Sequence, residues 1–315
     1  MLIKEADDKT HDLATLKSLL NHPTANAETK KRIEQEIRNI SSGAKGEADA
    51  AYEIDFHYGP SKNWAVIHDL RMEHKGRVAQ IDHLLVNRFL DIWVFESKRF
   101  AEGISINEQG ECAMFWNGKP AGIASPHEQN TKHIAVIKAV CDDGAAELPK
   151  RLGFNIKPAF NGLVLVSKNA RVSRPKSKGW WTDGIVKADQ VKAKIDKAFD
   201  SDNNIFAAAK IVGSDTLESF ARSLASLHVP ASFDWHAKFG LSREAAPTKA
   251  TSAQAESKVV ASPAKPQIKK AEPVCYSCGA AVEEKVVTFC IRFNKARFGG
   301  KVYCQACQKA IPKPA

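Results

Sequence analysis

Three charged side chains interrupt an apolar stretch that otherwise has the composition of two β-strands joined by a turn. The stretch is QIDHLLVNRFLDIWVFESKRF, residues 80–100, and the three charged residues are Asp82, Glu96 and Lys98. If its two halves pair as an antiparallel hairpin centred on Phe89, Asp82 lies directly opposite Glu96, and Lys98 shares the face of Glu96. Charges on a core strand are costly unless they are paired, so a chemical role is the simplest reason for them.

Two opposed carboxylates are unfavourable as structure but suit a hard cation. Their Cβ atoms would lie about 4.5–5.5 Å apart, where like charges repel. Mg²⁺ uses one or two protein carboxylates and fills its shell with water and phosphate oxygens. Such an ion activates water and neutralises charge on a reacting phosphate, and Lys98 is placed to orient that water or to stabilise the charge. The hairpin therefore predicts a phosphodiesterase centre, although a one-residue slip would turn Asp82 to the other face.

The elements around the hairpin alternate between helix and strand. Residues 10–42 predict two short helices separated by His22-Pro23, and SSGAKGE predicts a glycine-punctuated joint before a helix over 46–59. The remaining predicted elements are strands over 64–71, 78–87 and 91–98, a weaker hairpin through Ile104–Ile106 and Cys112–Trp116, a helix capped by Ser125, a strand over 159–167 and two amphipathic helices within 187–228.

Four segments carry a resemblance to a known family. GAKGEADAAY, RVAQIDHLLVN, VFESKRF and SPHEQN resemble the nuclease-related domain NERD, over roughly residues 40–170. Asp82, thirteen further residues and then Glu96-Ser97-Lys98 also resemble the D…(D/E)xK pattern of restriction-endonuclease-like nucleases. The resemblance implies an α/β fold with a restriction-endonuclease-like core of helix, three-strand meander, helix and strand. It also implies a hydrolase, a Mg²⁺-dependent (or Mn²⁺-dependent) nuclease acting on DNA.

The resemblance also implies a role for each matching residue. Glu47, Asp82 and Glu96 match the metal-binding carboxylates, Lys98 matches the catalytic lysine, and Gln129 matches a glutamine that approaches substrate or metal.

Plainer interpretations stand beside these roles. Gln80 precedes Asp82 by two residues and is a further candidate ligand, whereas His83 alternates away from the site and is more typical of a packed or surface histidine than of a ligand. Glu47 also fits the first turn of an ordinary helix, where the helix dipole stabilises a carboxylate. Gln129 also fits an ordinary polar position on the surface. The three charges of the hairpin could form a structural ion-pair cluster.

Five of the seven cysteines crowd into residues 275–307. Cys275 and Cys278 form one C-x₂-C pair, Cys304 and Cys307 form another, and 25 residues separate the pairs. Two thiolate pairs converging on one Zn²⁺ form a tetrahedral structural site, so the pattern predicts a zinc ribbon. Cys290 is a fifth candidate, either a buried spare or a substitute for Cys304 or Cys307. This tail resembles a zinc-binding segment sometimes found after NERD domains.

Basic and aromatic residues interleave within the cysteine-rich tail. Such a surface offers charge and stacking to nucleic acid, or its aromatics form the small core of the ribbon. The residues concerned are Arg292, Phe293, Lys295, Arg297, Phe298, Lys301 and Tyr303.

The net charge of +10 is concentrated at the end of the chain. Residues 241–273 carry +3 and residues 274–315 carry +5, which favours a polyanionic partner reached through the tail, although lysine-rich tails also serve solubility alone. The segment 241–273 is rich in Ala, Ser, Pro and Lys and predicts a flexible linker. The predicted division is an N-terminal helical segment 1–43, a nuclease-like core 44–170, a helical extension 171–240, the linker 241–273 and a zinc ribbon 274–310.

The sequence has neither a secretory signal nor an apolar run of membrane-spanning length, so we expect a soluble cytoplasmic protein without a membrane partner. Metal-dependent cleavage of DNA is the function it favours most. The alternatives are a non-catalytic nucleic-acid-binding protein on the same fold, and a protein-interaction module whose ribbon docks a partner.

Overall fold

The computed structural model describes residues 1–177, 179–201 and 211–242, and in the tail residues 275–278, 280, 282, 286, 290, 298 and 301–308. The chain divides into two compact units, Met1–Ala246 and Pro247–Ala315. The first unit carries the charged hairpin, and the second carries the clustered cysteines. The predicted linker lies outside the described residues except for Leu241 and Ser242.

The first unit alternates between helices and strands throughout. In chain order its elements are β1 (Leu2–Lys4), α1 (Thr10–Leu19), α2 (Ala27–Tyr58), β2 (Trp64–His74), β3 (Arg77–Asn87), β4 (Asp91–Lys98), β5 (Gly103–Ile106), β6 (Cys112–Trp116), β7 (Lys119–Ile123), α3 (Pro126–Asp142), β8 (Lys150–Arg151), β9 (Phe154–Asn155), β10 (Ala159–Val166), β11 (Arg171–Ser173), α4 (Trp180–Asp183), β12 (Ile185–Lys187), a 3₁₀ turn (Ala188–Gln190), α5 (Val191–Ser201), α6 (Ser214–Ala225) and α7 (Trp235–Phe239).

A six-stranded mixed sheet forms the centre of this unit, in the order β1-β2-β3-β4-β10-β12. The meander β2-β3-β4 is antiparallel, and β10 pairs parallel to β4 and to β12. Helices cover both faces. Helices α3 and α6 pack on one face, and the second half of α2 packs with α5 on the other. This layering makes the unit an α/β fold, as the sequence predicted.

The strands predicted over 64–71, 78–87, 91–98 and 159–167 are present as β2, β3, β4 and β10. In chain order α2 precedes the three-strand meander, and strands β5, β6 and β7 lie between the meander and α3. Trp93 and Phe95 pack against α2, on the face opposite to Ile92 and Val94, as the alternation along β4 predicts. Strands β1, β7, β8, β9, β11 and β12 were missed. β7 follows β6 through Asn117 and Gly118, whose φ values of 49° and 72° form a tight hairpin turn.

Helix α2 corrects the predicted joint at SSGAKGE. Gly43 and Gly46 lie inside one helix of 32 residues instead of separating two. A glycine within a helix costs about 1 kcal/mol relative to alanine, and packing at both ends of α2 offsets this, against α1 and α7 at one end and the sheet at the other. Gly46 also has a steric reason, because a Cβ there would lie 2.9 Å from the Cβ of Arg99. Glycine thus lets α2 approach the end of β4.

We expect Gly43→Ala to stabilise the protein and Gly46→Ala to destabilise it. Alanine favours a helix by about 1 kcal/mol, and a Cβ added at Gly43 would meet nothing nearer than Oε1 of Glu47 at 3.8 Å. The same methyl at Gly46 would press on Arg99, and overpacking of this kind costs about 1–3 kcal/mol. Urea unfolding of both variants measures the difference. A stabilised Gly46→Ala variant would contradict the close approach of α2 and β4.

Helix α3 begins as its sequence predicts and is anchored to the sheet by a residue that the sequence did not reveal. The Ser125 hydroxyl caps the helix by accepting from the backbone N–H of Glu128, and Pro126 occupies the first turn. One turn later, the buried Asn130 donates through Nδ2 to the carbonyl oxygens of Val94 and Leu163, at 2.9 and 3.2 Å. These bonds fix the first turns of α3 over the end of the meander.

Two predicted boundaries do not coincide with breaks in the structure. Helix α2 runs without interruption through residues 43 and 44, where we divided the N-terminal segment from the core. Leu241, assigned to the linker, is buried with Trp235 and Phe239, and the carbonyl of Ser242 lies 2.9 Å from Nε2 of His22. The two helices predicted within 187–228 are confirmed as α5 and α6. Among the described residues no helix has the length and apolarity needed to cross a membrane.

Candidate active site

One cleft of the first unit brings together the side chains that the sequence singled out. It has a volume of about 390 Å³ and is bordered by α2, β3, β4 and α3. Its lining includes every residue predicted for the catalytic centre: Glu47, Gln80, Asp82, Glu96, Lys98 and Gln129. Only Glu96 among them is fully buried, and the two glutamines are exposed at the rim. The carboxylates thus lie at the bottom of a polar cleft that opens to solvent.

The predicted register of the charged hairpin is confirmed. β3 and β4 pair antiparallel, with His83 opposite Phe95 at the last regular pair. One residue further along, this register sets Asp82 opposite Glu96. There the backbone N–H of Ser97 donates to Oδ2 of Asp82 at 2.7 Å. A hydrogen bond from a rigid strand to a charged acceptor holds the Asp82 carboxylate in a fixed orientation.

Glu96 has two different neighbours on its two carboxylate oxygens. Oε1 accepts from Nζ of Lys98 at 2.5 Å. Oε2 lies 3.4 Å from Nδ1 of His133 on α3, yet both of these buried atoms lack a hydrogen bond. Burial lowers the pKa of His133 to about 4, with a further contribution from Lys98, so the imidazole is neutral at physiological pH. Glu96 therefore presents one buried oxygen that no donor satisfies.

His133 was missed by the sequence analysis, which assigned it no role. It lies four residues after Gln129 on α3, so both side chains project from one helix face into the cleft. That spacing was visible in the sequence. Nothing in the sequence, however, showed that α3 crosses the end of β4.

A second missed residue, Asp69, bends the sheet beside the cleft. Its φ of 48° lies in the left-handed region, and there β2 changes face, so that Ile67 and Leu70 pack in the same core cluster. The buried Asp69 carboxylate accepts from Nζ of Lys9 at 2.7 Å and from Nε2 of Gln80 at 3.1 Å. The distortion adds a further carboxylate next to the predicted metal centre.

A chain of hydrogen-bonding groups supports Ser97 from the other face of the sheet. Oγ of Ser97 lies 2.9 Å from Nε2 of His83, whose Nδ1 lies 2.8 Å from Nδ1 of His68. Nε2 of His68 in turn lies 3.1 Å from Oδ1 of Asp55 on α2. His83 is thus a packed histidine that faces away from the cleft, as its alternation with Asp82 predicted. The chain fixes the residue whose N–H orients Asp82.

The carboxylates of the cleft are held in an environment that disfavours their charge. Burial raises the pKa of Asp82 well above its ordinary range, and the charges of Glu96 and Glu47 raise it further. Burial also raises the pKa of Glu96, although Lys98 opposes the shift. For Glu47 the causes of the raised pKa are burial and the charge of Asp69. The cleft therefore holds more negative charge than its own cations balance.

Residues 42–166 match the family model of the nuclease-related domain, NERD. This part of the chain is a NERD domain. The match runs from the middle of α2 to the end of β10, so the carboxylates, Lys98 and Gln129 all fall within it. No curated protein and no solved structure matches the chain.

The NERD domain has the donors that a hard divalent cation requires. Asp82 and Glu96 are opposed, their pKa values are raised by burial, and Oε2 of Glu96 lacks a hydrogen bond. Ligand atoms of Glu47, Asp82 and Glu96 do not all lie within 4.8 Å of one another. The set therefore suits an ion held by one or two carboxylates and otherwise by water, which is how Mg²⁺ binds, better than an ion caged entirely by protein.

The second unit brings four cysteines to one point. Sγ atoms of Cys275, Cys278, Cys304 and Cys307 all lie within 4.8 Å of one another, and the pair Cys278–Cys304 is 3.7 Å apart. A tetrahedral Zn²⁺ with Zn–S bonds of about 2.3 Å would separate its sulfur ligands by about 3.8 Å. Hydrogen bonds, the largest contribution coming from the backbone of Cys304, lower the pKa of Cys275 to about 6, which favours the thiolate that zinc binds. Contacts with the thiols of Cys304, Cys278 and Cys275 raise the pKa of Cys307 to about 12, so a second thiolate at this point needs a cation beside it. The four residues fit a structural zinc ion.

Cys290 is outside this group. Its buried Sγ accepts from the backbone N–H of Tyr303 at 3.5 Å and from Nε2 of Gln308 at 3.3 Å. Phe298 is also buried and lies against the half-buried Tyr303, with ring centroids 5.8 Å apart, so Phe298 belongs to the packing of the tail. A short helix, α8 (Gln305–Gln308), begins directly after Cys304 and contains Cys307. Arg292, Phe293, Lys295 and Arg297 lie outside the described residues.

Proposed function

We propose that the NERD domain hydrolyses phosphodiester bonds of DNA with Mg²⁺ or Mn²⁺ at the Asp82–Glu96 pair. The observation that carries this proposal is the excess of buried negative charge in a cleft open to solvent. The pKa values of three carboxylates are raised by burial and by neighbouring carboxylates, while Lys98 is paired to Glu96 and the nearby Lys9 is paired to Asp69. A divalent cation would balance this charge and, when bound, would polarise both a phosphate oxygen and a water molecule.

Each side chain of the cleft has a distinct task in this proposal. Asp82, oriented by the N–H of Ser97, and Glu96 hold the ion. Lys98 is placed to contact a reacting phosphate while paired to Glu96. Neutral His133 closes the inner wall of the cleft without adding charge. Gln129 is exposed at the entrance, where its amide can donate to a backbone phosphate.

A non-catalytic nucleic-acid-binding protein is the second candidate function. One reason is that the carboxylate oxygens of Glu47, Asp82 and Glu96 do not all lie within 4.8 Å of one another. The other is the 2.5 Å contact through which Lys98 already neutralises part of the charge of Glu96. In that case the cleft would bind a phosphate backbone, and cation binding would be weak.

The experiment that separates the two functions is a cleavage assay on the full-length chain. Plasmid, single-stranded DNA and RNA are incubated with MgCl₂, MnCl₂ or a chelator, and the Asp82→Asn variant, purified in parallel, controls for contaminating nucleases. Cleavage that needs the cation and Asp82 supports the nuclease. Binding without cleavage under every condition supports the second candidate.

We further propose that the tail binds zinc and aids nucleic-acid binding. Residues 241–315 hold eight of the ten net positive charges, so phosphate contacts should be concentrated there. A protein partner of the tail is the alternative, and the measurement below decides between them.

We expect Cys278→Ser to lose one equivalent of zinc and to bind DNA with a flatter salt dependence. The ribbon needs its ion to fold, and the slope of log K against log salt falls by about 0.9 for every phosphate that the tail no longer neutralises. Cys290→Ser is the matched control and should keep both the zinc and the slope, because Sγ of Cys290 contacts Tyr303 and Gln308 instead of the other thiols. An unchanged slope in zinc-free Cys278→Ser protein would assign the tail to a protein partner.

A further inference from the structure

Asp82 lies where β3 has no regular backbone pairing to either of its neighbouring strands. The regular pairs of β3 with β4 end at His83. Those of β3 with β2 also include His83, but they pass over Asp82 and resume at Ile81. The backbone ladder therefore does not by itself fix the position of Asp82 relative to Glu96 on β4.

A row of polar side chains crosses three strands at this gap, on the face of the sheet opposite to the cleft. Nδ1 of His68 on β2 lies 2.8 Å from Nδ1 of His83 on β3, and Nε2 of His83 lies 2.9 Å from Oγ of Ser97 on β4. Beyond His68, its Nε2 lies 3.1 Å from Oδ1 of Asp55 on α2. We call these four residues the Asp55–Ser97 network. Because the N–H of Ser97 also donates to Asp82, Ser97 is bonded to two consecutive residues of β3.

The hydrogen atoms of the Asp55–Ser97 network can run in one direction only when both rings are neutral. A carboxylate accepts and cannot donate, so Nε2 of His68 carries the proton of that ring. Nδ1 of His68 must then accept from Nδ1–H of His83, which leaves Nε2 of His83 to accept from the hydroxyl of Ser97. Each group in the row has a partner, so the row can hold three strands in one arrangement.

The two histidines lie in a face of the sheet that is otherwise apolar. His68 and His83 are 2% and 1% exposed. Leu85 and Phe95, on the same face, belong to the core cluster beneath α2. A pair of apolar side chains of the same shape would stabilise such a core about as well as two polar groups that bond to each other. Core stability alone therefore does not require the histidines, whereas their place beside Asp82 gives them a role.

We propose that His68, His83 and Ser97 are positioning residues that hold the Asp82 and Glu96 carboxylates at the separation a divalent cation needs. This role rests on the proposed function and adds residues that contact neither the ion nor the substrate. The Asp55–Ser97 network ties β2, β3 and β4 together where the backbone pairs of β3 stop. A pair of ligands that is already ordered binds an ion more tightly than a pair that must first be ordered.

The main test is the double variant His68→Leu with His83→Leu in the full-length chain, purified with zinc so that the tail cysteines do not take up Mn²⁺. Leucine is close to histidine in volume, so Tm without divalent cation should stay the same or rise. Mn²⁺ affinity, measured by calorimetry without DNA, should fall about 10- to 100-fold, as when an outer partner of a metal ligand is lost. By NMR, the amide hydrogen of Ser97 should exchange faster, while that of Phe95 should not change.

Three single variants make the result specific. Ser97→Ala removes the hydroxyl but keeps the backbone N–H, and it should weaken Mn²⁺ binding. Ser97→Thr keeps a hydroxyl and should keep most of the affinity. Ile195→Ala removes a buried side chain of α5 from the same core cluster and leaves the Asp55–Ser97 network intact, so it should lower Tm without changing Mn²⁺ affinity.

The outcomes distinguish this role from the proposed function. Unchanged Mn²⁺ affinity and unchanged exchange of Ser97 in the double variant would overturn the positioning role even if the wild type cleaves DNA. A large loss of Tm in the double variant, with Ser97→Ala binding Mn²⁺ as the wild type does, would show that the histidines only stabilise the core. If the double variant speeds exchange of Ser97 and weakens Mn²⁺ binding in a protein that never cleaves, only the proposed function is overturned.

Discussion

Asp82→Asn and Glu96→Gln should each abolish metal-dependent cleavage while making the metal-free protein more stable to heat. Loss of a residue that merely orients a metal ligand costs about 10–100-fold in activity, so loss of a ligand should cost about 10³-fold or more. The fold should survive, because β3 and β4 are held by the regular pairs that continue from His83 opposite Phe95.

The gain in stability follows from the raised pKa of Asp82. A carboxyl group that holds its proton more tightly when folded than when unfolded makes the free energy of unfolding fall as pH rises. That fall begins near the ordinary pKa of 3.8 and is complete above the raised value. Asn cannot ionise, so the advantage of the variant should be large at neutral pH and should vanish toward pH 4.

Thermal melts with chelator, across this pH range, measure the effect. In a unit of this size about 1 kcal/mol shifts Tm by roughly 2–4 °C, so a rise of several degrees is expected at neutral pH. Adding Mg²⁺ or Mn²⁺ should raise the Tm of the wild type and not that of Asp82→Asn. Glu34→Gln, an exposed carboxylate on α2 outside the cleft, is the control. A lower Tm for both cleft variants in chelator would show that Asp82 and Glu96 stabilise the fold, which would contradict their assignment to a metal site.

The centre of the site could be predicted from the sequence because it depends on local rules. The strand period of two and the short connection around Phe89 fix which residues of β3 and β4 face each other. Residue chemistry then makes Asp82 and Glu96 conspicuous. In the same way, Ser125 and Pro126 mark the start of α3. The first N–H groups of a helix have no partner within it, so a serine that accepts from one of them and a proline that has no N–H both suit this position.

The rest of the site depends on packing between distant elements, which the sequence does not encode locally. Gly43 and Gly46 indicate a break by propensity, but contacts at both ends of α2 outweigh about 1 kcal/mol per glycine. The left-handed φ of Asp69 is uncommon for a non-glycine residue, and it occurs within a strand whose neighbours and side-chain contacts to Lys9 and Gln80 come from distant parts of the chain. His133 lies in the cleft because α3 packs on the sheet, through its apolar side chains and through the hydrogen bonds of Asn130.

Lys98→Ala should lower kcat about 10²- to 10⁴-fold and change DNA affinity little. The ammonium group is proposed to stabilise charge that appears only in the transition state, so its removal affects turnover more than binding. Lys98 also lowers the pKa values of Glu96 and Asp82, so its removal has a second effect, which is to make these carboxylates harder to ionise. Both effects reduce activity at neutral pH, and a single rate measurement cannot separate them.

The pH dependence of the Lys98→Ala variant separates the two effects. If Lys98 acts only by keeping the carboxylates ionised, activity should recover as pH rises above their raised pKa values, because the sites then lose their protons without help. If Lys98 acts on the transition state, kcat should stay low at every pH while DNA binding stays close to wild type. Lys138→Ala, which breaks a similar 2.5 Å contact with Asp142 on the exposed side of α3, should leave both quantities unchanged. Full recovery of kcat at high pH would show that Lys98 acts only by keeping Glu96 and Asp82 ionised. Equal decreases in DNA binding and turnover would show that Lys98 serves mainly to bind the DNA.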